Sequence, residues 1–118
     1  MAELTQWEKI YKHLKNKGYE VYSPNQHQGE FKKNYVVVKD NGLLDTNVSS
    51  SQHLFDILVY VKNYSEIEGF VQNVIDDMDE LFPAIRPTHS RTAPYFDDFV
   101  KAFMVSIEYV NYRKNHRR

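Results

Sequence analysis

A strand pattern and a helix pattern follow one another in residues 53–82, HLFDILVYVKNYSEIEGFVQNVIDDMDELF. In residues 53–61 apolar side chains recur every second position, so one face of the predicted strand is apolar throughout and the other is only half polar. In residues 67–82 the apolar spacing changes to three and four, which is typical of a helix, and Pro83 ends it. The pair predicts a strand followed by a helix that covers a sheet.

Both predicted helices begin with a capping signal. Residues 4–17 have apolar side chains at helical spacing, and Thr5 with Glu8 has the spacing of a capping box. Ser65 and Glu68 have the same spacing before the later helix. We therefore expect each helix to start with a reciprocal side-chain cap.

The segment between the first helix and residue 53 predicts strands and loops. Residues 19–22 favour a short strand, and residues 35–39 favour a strand because they are rich in β-formers. That strand is expected to end at 40–42, since Asp-Asn-Gly is a strong turn signal. Residues 43–52 are too polar for the core and are interpreted as a long loop or a wide hairpin tip.

After the later helix, residues 84–98 are expected to be irregular or to form short edge strands because they contain prolines. Residues 101–112 alternate and predict a long final strand. The order α-β-β-(β)-α-β indicates an α+β fold with a mostly antiparallel sheet of about four strands and two helices packed on one face. We expect one domain, residues 1–112, followed by a basic tail, residues 113–118.

Length and composition exclude several classes of protein. The chain has 118 residues, of which 42% are hydrophobic and 14% aromatic, which suits one folded domain rather than a disordered chain. It has no cysteine, which excludes a disulfide scaffold, a thiolate zinc site and a cysteine nucleophile. The N-terminal residues do not resemble a signal peptide, and no apolar run approaches the roughly 20 residues that span a bilayer. We expect a soluble protein without membrane contact.

No sequence motif indicates catalysis. The chain contains no phosphate-binding glycine loop, nucleophile elbow or two-histidine metal helix. His89 and Ser90 with Asp97 or Asp98 could be imagined as a hydrolytic set, but no residue nearby supplies an oxyanion site. The histidines are scattered without metal-ligand spacing, at His13, His27, His53, His89 and His116. We therefore expect no enzyme activity, no cofactor and no metal.

An acidic group lies at the end of the later helix. Asp76, Asp79 and Glu80 share one helix face, and a solvated face is the plainest interpretation. The helix macrodipole makes negative charge unfavourable there by a few tenths of a kcal/mol for each residue. A cation from elsewhere would offset this cost.

Positive charge is concentrated at the C-terminus. Removing the four cations of the last six residues from the net charge of −1 leaves −5 on the rest of the chain. This separation suits head-to-tail self-association, while non-specific contact with nucleic acid and a frayed solubilising tail are competing interpretations. The four are Arg113, Lys114, Arg117 and Arg118.

The second face of the predicted sheet is too apolar to face water. A neighbouring subunit could cover it, and so could the segment 84–98 of the same chain. Its apolar members, which are candidate subunit-interface residues together with the acidic group and the basic tail, are Leu54, Leu58, Tyr60, Met104, Val110 and Tyr112.

The whole pattern resembles one protein family. Its elements are the order of helices and strands, the turn from Tyr22-Ser23-Pro24 to Gly29 before Tyr35-Val36-Val37-Val38-Lys39, the strand from Leu54 to Val61, and the ending Ser106-Ile107-Glu108-Tyr109-Val110-Asn111-Tyr112-Arg113-Lys114. This combination is similar to the tail terminator and tail completion (head-to-tail joining) proteins of long-tailed phages and prophages of Gram-positive bacteria.

The resemblance implies a non-enzymatic virion protein of the tail or neck, assembled in the host cytoplasm. Such proteins close a ring, commonly of six subunits, on the tail tube protein and present a surface to head-completion or connector proteins. The resemblance further implies that residues 43–52 form a contact segment and that the basic tail contacts a neighbour or the DNA passing through the lumen.

Three alternatives remain open at the level of sequence. A head-tail connector or stopper protein of the neck would have the same size and pattern. A nucleic-acid-binding module would use the basic tail with Tyr60, Tyr109 and Tyr112, although the net charge of −1 argues against a basic face. A small enzyme using His89 is the third.

Overall fold

The computed structural model describes residues 5–24, 26, 33–45 and 50–114. Two helices and six strands lie in these ranges, flanked by single 3₁₀ turns at Tyr64–Glu66 and Asp79–Leu81. In chain order they are α1 (Gln6–Asn16), β1 (Val21–Tyr22), β2 (Tyr35–Asp45), β3 (Ser50–Val61), α2 (Ile67–Met78), β4 (Arg86–Arg91), β5 (Tyr95–Asp97) and β6 (Ala102–Lys114). The α+β prediction is confirmed, with more strands than the four expected because the segment 84–98 forms two short edge strands.

The six strands form one sheet in the order β1-β2-β3-β6-β4, and β5 also pairs with β6. All pairs are antiparallel except β1 with β2. The β3–β6 ladder is long and regular, extending from Val61 opposite Phe103 to Ser50 opposite Lys114. Strand β6 therefore pairs with three other strands, β3, β4 and β5.

Both helices pack on the same face of this sheet, as predicted. The face is formed by alternate residues of β2, β3 and β6, and the side chains at its centre, such as Phe55 and Val59, have no exposed surface. Full burial of one such side chain stabilises the fold by about 1.5–3 kcal/mol. A polar contact orients α1, because Trp7 Nε1 donates a 2.8 Å hydrogen bond to the carbonyl of Val38.

The predicted cap of α1 is confirmed. The amide of Glu8 donates to Thr5 Oγ1 at 3.1 Å, and the amide of Thr5 donates to Glu8 Oε1 at 2.9 Å. Gly18 follows the helix with a φ of 97°, a conformation that glycine adopts at little cost. The sequence signal at the start of this helix therefore corresponds to two real hydrogen bonds.

The capping box predicted at Ser65 and Glu68 is wrong. A 3₁₀ turn precedes α2, and the residue at its N-cap, Glu66, makes no side-chain cap bond. The carboxylate of Glu68 instead accepts hydrogen bonds from Arg91 at 3.0 and 3.1 Å. The Glu68 carboxylate thus forms an ion pair with strand β4 and does not cap α2.

The predicted end of β2 at 40–42 is also wrong. The strand continues to Asp45, and the register with β3 shifts between Asp40 and Gly42, which marks a β-bulge. Gly42 has a φ of 96°, and its amide donates to Asp40 Oδ1 at 2.8 Å. The turn-forming residues therefore produce a bulge inside a long hairpin, and most of the loop expected at 43–52 is strand. Residues 46–49 lie outside the described residues.

Strand β6 extends past the expected end of the domain at residue 112. Its last two residues, Arg113 and Lys114, pair with Ser51 and Ser50. Two of the six residues of the predicted basic tail are thus attached to the sheet through their backbone. Arg117 and Arg118 lie outside the described residues.

Candidate interaction surfaces

Half of the candidate interface residues on the second sheet face are buried inside the chain. Tyr60, Met104 and Val110 expose 9%, 7% and 3% of their surface. Val100, which follows β5, packs on the small apolar cluster that contains Tyr60 and Met104. The turn after β5 therefore covers part of this face. The predicted cover from the same chain was the segment 84–98, and Val100 lies just after that segment. Leu54 and Leu58 are half-buried and Tyr112 is exposed.

A groove of about 440 Å³ remains beside this cluster, bordered by Pro24 and Val100. Its floor contains Tyr35 and Tyr60, whose rings stack with centroids 4.6 Å apart and planes 11° apart. Burial raises the pKa of Tyr60 to about 12, with a smaller contribution from the nearby charge of Asp97. The two phenols are neutral at physiological pH, and Lys39 also lines the groove.

A second surface consists of β5 and the turn that joins it to β6, and it displays aromatic side chains. Tyr95, Phe96 and Phe99 expose 48%, 46% and 93% of their surface. The carboxylate of Asp97 holds the turn, since its Oδ1 accepts hydrogen bonds from the amides of Phe99 at 2.9 Å and Val100 at 3.2 Å. We call residues 95–99 the aromatic turn.

A third surface lies where α2 leads into β4. Phe82 and Tyr112 are 60% and 52% exposed. The guanidinium carbon of Arg86 lies 5.4 Å from the centroid of the Phe82 ring and 5.9 Å from that of Tyr112, within the range of cation–π attraction. Arg86 Nε also donates to the carbonyl of Pro83 at 3.0 Å. We call Phe82, Arg86 and Tyr112 the arginine platform.

The aromatic turn and the arginine platform lie at opposite ends of β6. Tyr95 pairs with Met104 near the start of the strand, whereas Arg86 pairs with Val110 near its end. From Phe103, which opposes Phe96, to Tyr112 the strand spans roughly 30 Å at the usual rise per residue. The chain thus carries two unlike exposed aromatic surfaces, well separated along one rigid element.

Two of the three members of the acidic group at the end of α2, Asp76 and Glu80, are engaged within the chain. Glu80 lies 2.6 Å from Lys17 Nζ, and Asp76 accepts a hydrogen bond from Gln72 at 2.9 Å. Asp79 is exposed and forms no ion pair within the described part of the chain. Lys17, just after α1, is the cation that offsets the unfavourable interaction of these carboxylates with the helix macrodipole. A cation from the basic tail is therefore not required for this purpose.

The imagined hydrolytic set is not assembled. Strand β4, which contains His89 and Ser90, pairs with β6 from Ile107 onward, whereas Asp97 pairs with Ala102, roughly 17 Å away along the strand. The carboxylate of Asp97 is occupied by amides of its own turn. In the ranges that the structure covers, no group of three histidine, aspartate or glutamate side chains is placed to hold a metal ion.

A pocket of about 490 Å³ lies between α2 and β4 and is bordered by His89, Asp79 and Tyr109. His89 has a φ of 67°, an uncommon conformation that coincides with the irregular β4–β6 register. Burial, with a smaller contribution from the charge of Asp79, raises the pKa of Tyr109 well above its usual value. The hydroxyl of Tyr109 is buried and pairs with no atom of the described residues.

The sequence did not predict the aromatic turn or the arginine platform. A weak signal for the aromatic turn was present in residues 95–100, YFDDFV. They are mostly apolar, yet they lie between a proline-containing segment and the final strand, whose own alternation already supplies its core residues. No sequence pattern pointed to Arg86, because its position near the rings of Phe82 and Tyr112 depends on the path of the chain after α2. No helix in the described ranges is long and apolar enough to cross a membrane.

Comparison with known proteins adds no assignment. No protein-family model matches the sequence, and no curated protein matches it either. The surfaces described above are therefore the basis for a functional proposal.

Proposed function

We propose that the chain is a non-enzymatic structural protein of a phage virion, a tail terminator or head-to-tail joining adaptor that assembles as a ring on the tail tube. The observation that carries this proposal is the placement of the aromatic turn and the arginine platform at opposite ends of β6. Two unlike surfaces on one rigid body permit heterologous contacts, and such contacts close into rings when the rotation between subunits allows it.

The sequence pattern supports the same role. The order of helices and strands and the long final strand resemble those of tail completion proteins. In this proposal the ring, commonly of six subunits, meets the tail tube on one side and a head-completion or connector protein on the other. DNA would pass through its lumen, and assembly would take place in the host cytoplasm.

The non-enzymatic part of the proposal is supported by the structural use of the acidic side chains. Asp97 holds the aromatic turn, Glu80 pairs with Lys17, and Glu68 pairs with Arg91. Asp97 contacts backbone amides and the two glutamates contact other side chains, so each has a structural partner rather than a place beside a reacting group.

The decisive experiment is capture on tail tubes. Purified protein is mixed with tubes from the same phage or prophage, sedimented, and viewed by negative-stain electron microscopy. We expect density at tube ends and co-sedimentation that saturates at a fixed number of copies for each end. Protein that ignores tubes but binds isolated head-completion or connector rings would move the assignment to the head side of the neck, and protein that binds neither would contradict the proposal.

A second candidate function is single-strand nucleic-acid binding at the arginine platform. An arginine held between exposed aromatic rings suits base stacking beside a phosphate. Of the tyrosines predicted for this role, Tyr60 and Tyr109 are buried, which leaves Tyr112. A mobility shift with single-stranded DNA that weakens as salt rises would favour this function, and no shift at low salt would remove it.

A further inference from the structure

We infer that the aromatic turn of one copy of the chain binds the arginine platform of the next copy. This rests on the proposed ring assembly and names the two surfaces that form its subunit contact. Each surface is exposed, and each differs from the other in side chains and charge. A contact between unlike surfaces leaves one of each free at the ends of a growing chain, which is the condition for closing a ring.

The aromatic turn has the form of a rigid plug. Phe99 at its tip is 93% exposed, an unusual degree for a phenylalanine. Its backbone is held by the Asp97 carboxylate and by a 2.8 Å hydrogen bond from the amide of Lys101 to the carbonyl of Asp97. A side chain on a fixed backbone loses little conformational entropy when it is bound, which favours association.

The two surfaces are complementary in charge. Residues 95–101 contain two acids, Asp97 and Asp98, and one base, and Asp98 forms no ion pair with any described residue. Arg86 likewise has no carboxylate partner in the described ranges. In the sequence, two more basic residues, Arg113 and Lys114, follow Tyr112 directly. An acidic aromatic surface therefore has a basic aromatic surface as its counterpart on the same chain.

A second copy fits both surfaces better than nucleic acid does. Single-stranded DNA on the arginine platform would leave the aromatic turn unused, and Asp97 and Asp98 would disfavour phosphates at the aromatic turn itself. In the head-to-tail contact, exposed aromatic area is buried on both partners and Arg86 gains an acid within its reach. Such aromatic and arginine residues are the side chains that dominate the free energy of protein contacts.

The test uses two variants, each with one damaged surface, and analytical ultracentrifugation over a wide range of concentration. Phe99→Ser damages the turn and keeps the platform, while Arg86→Glu damages the platform and keeps the turn. We expect each variant alone to associate more weakly than wild type by about tenfold or more. An equimolar mixture is expected to form a dimer that grows no further, because only one productive contact exists between the two variants.

Lys12→Glu is the matched control, because it makes the same charge change at an exposed position of α1. It is expected to associate as wild type does. A wild-type chain that remains monomeric at the highest attainable concentration would overturn the inference. So would a mixture of the two variants that forms no dimer, or a Phe99→Ser chain that associates normally.

Disulfide trapping gives a second measurement, since the natural chain has no cysteine. The cysteines are placed beside the rings, so that Phe99, Arg86 and Tyr112 are kept. Asp98→Cys and Ala84→Cys chains, each changed at an exposed position, are mixed under mild oxidation, and the mixed dimer is expected to exceed both same-variant dimers. Statistical amounts of the three dimers would overturn the inference. Ultracentrifugation and disulfide trapping use no phage component, so they test the contact separately from the tail role. Dimerisation in these two measurements without capture on tail tubes would refute only the tail role. Equal capture of Phe99→Ser and wild type on tail tubes would refute only the contact.

Discussion

The hydroxyl of Tyr19 donates a 2.6 Å hydrogen bond to Oδ2 of Asp77, linking the residues after α1 to the last turn of α2. Two further contacts join the same helix ends. His13 Nε2 lies 2.6 Å from the carbonyl of Asp77, and Lys17 pairs with Glu80. Burial raises the pKa of Tyr19 well above its usual value, and the hydrogen bond to Asp77 raises it further. The C-terminal ends of the two helices are thus held together by polar contacts over a shared apolar core.

Removing this hydroxyl is expected to destabilise the fold. Tyr19→Phe should lower the free energy of unfolding by about 1–2 kcal/mol, because a hydrogen bond to a partly buried carboxylate is stronger than a neutral one. Tyr11→Phe is the control, since the hydroxyl of Tyr11 is exposed and accepts only a 3.4 Å bond from Lys15. Urea denaturation of both variants checks the prediction, and equal losses in the two would contradict it.

Two glycines should respond to alanine in opposite directions. Gly42 has a φ of 96° at the bulge of β2, so Gly42→Ala is expected to cost about 1 kcal/mol in backbone strain. Gly69 lies inside α2, and a Cβ there would meet no atom within 4 Å. Gly69→Ala should therefore stabilise the chain by about 0.5–1 kcal/mol through helix propensity. Thermal and urea unfolding of both variants test the pair, and the same sign in both would refute the assignment of the bulge.

The bulge also shows where sequence patterns stop being informative. Asp40, Asn41 and Gly42 predicted a turn that would end the strand, and the structure instead uses the positive φ of Gly42 for a bulge. Whether the chain reverses there depends on pairing with residues 51–55 across the hairpin, which is a non-local property. By contrast, the alternation in residues 53–61 placed Phe55, Ile57, Val59 and Val61 together on the face that the helices cover, because that face is buried along its whole length.

The candidate interface was predictable only in part. The excess of apolar residues on the second face was real, but Tyr60 and Met104 are covered by the segment around Val100. Periodicity tells which side of a strand a residue lies on and not which segment folds across it. The exposed position of Phe99 follows from a four-residue turn, whose geometry depends on the pairing of Asp97 with Ala102.

The buried hydroxyl of Tyr109 predicts a stabilising substitution. It is hidden from solvent and pairs with no atom in the described part of the chain, so it carries a desolvation cost without a protein hydrogen bond. Tyr109→Phe should raise the free energy of unfolding by about 1 kcal/mol, since the ring and its packing are kept. Urea denaturation measures this change, with Tyr112→Phe at an exposed position as the control. A loss of stability in Tyr109→Phe would show that the hydroxyl is satisfied.

Alkaline pH is expected to weaken the fold through the buried tyrosines. The pKa of Tyr60 is raised to about 12 by burial, whereas an unfolded tyrosine titrates near 10. The folded state therefore keeps a proton that the unfolded state loses. The contribution of Tyr60 to stability is complete below about pH 10 and is lost as pH rises to about 12, by about 2–3 kcal/mol.

Tyr60→Phe isolates this contribution, because phenylalanine has no proton to lose. Urea denaturation at several pH values between about 8 and 12 should show a shallower fall of stability for Tyr60→Phe than for wild type. Tyr64→Phe, at a position 60% exposed, should follow the wild-type curve. Parallel curves for all three proteins would mean that Tyr60 ionises as freely in the folded chain as in the unfolded one, and that the groove beside it admits water to its hydroxyl.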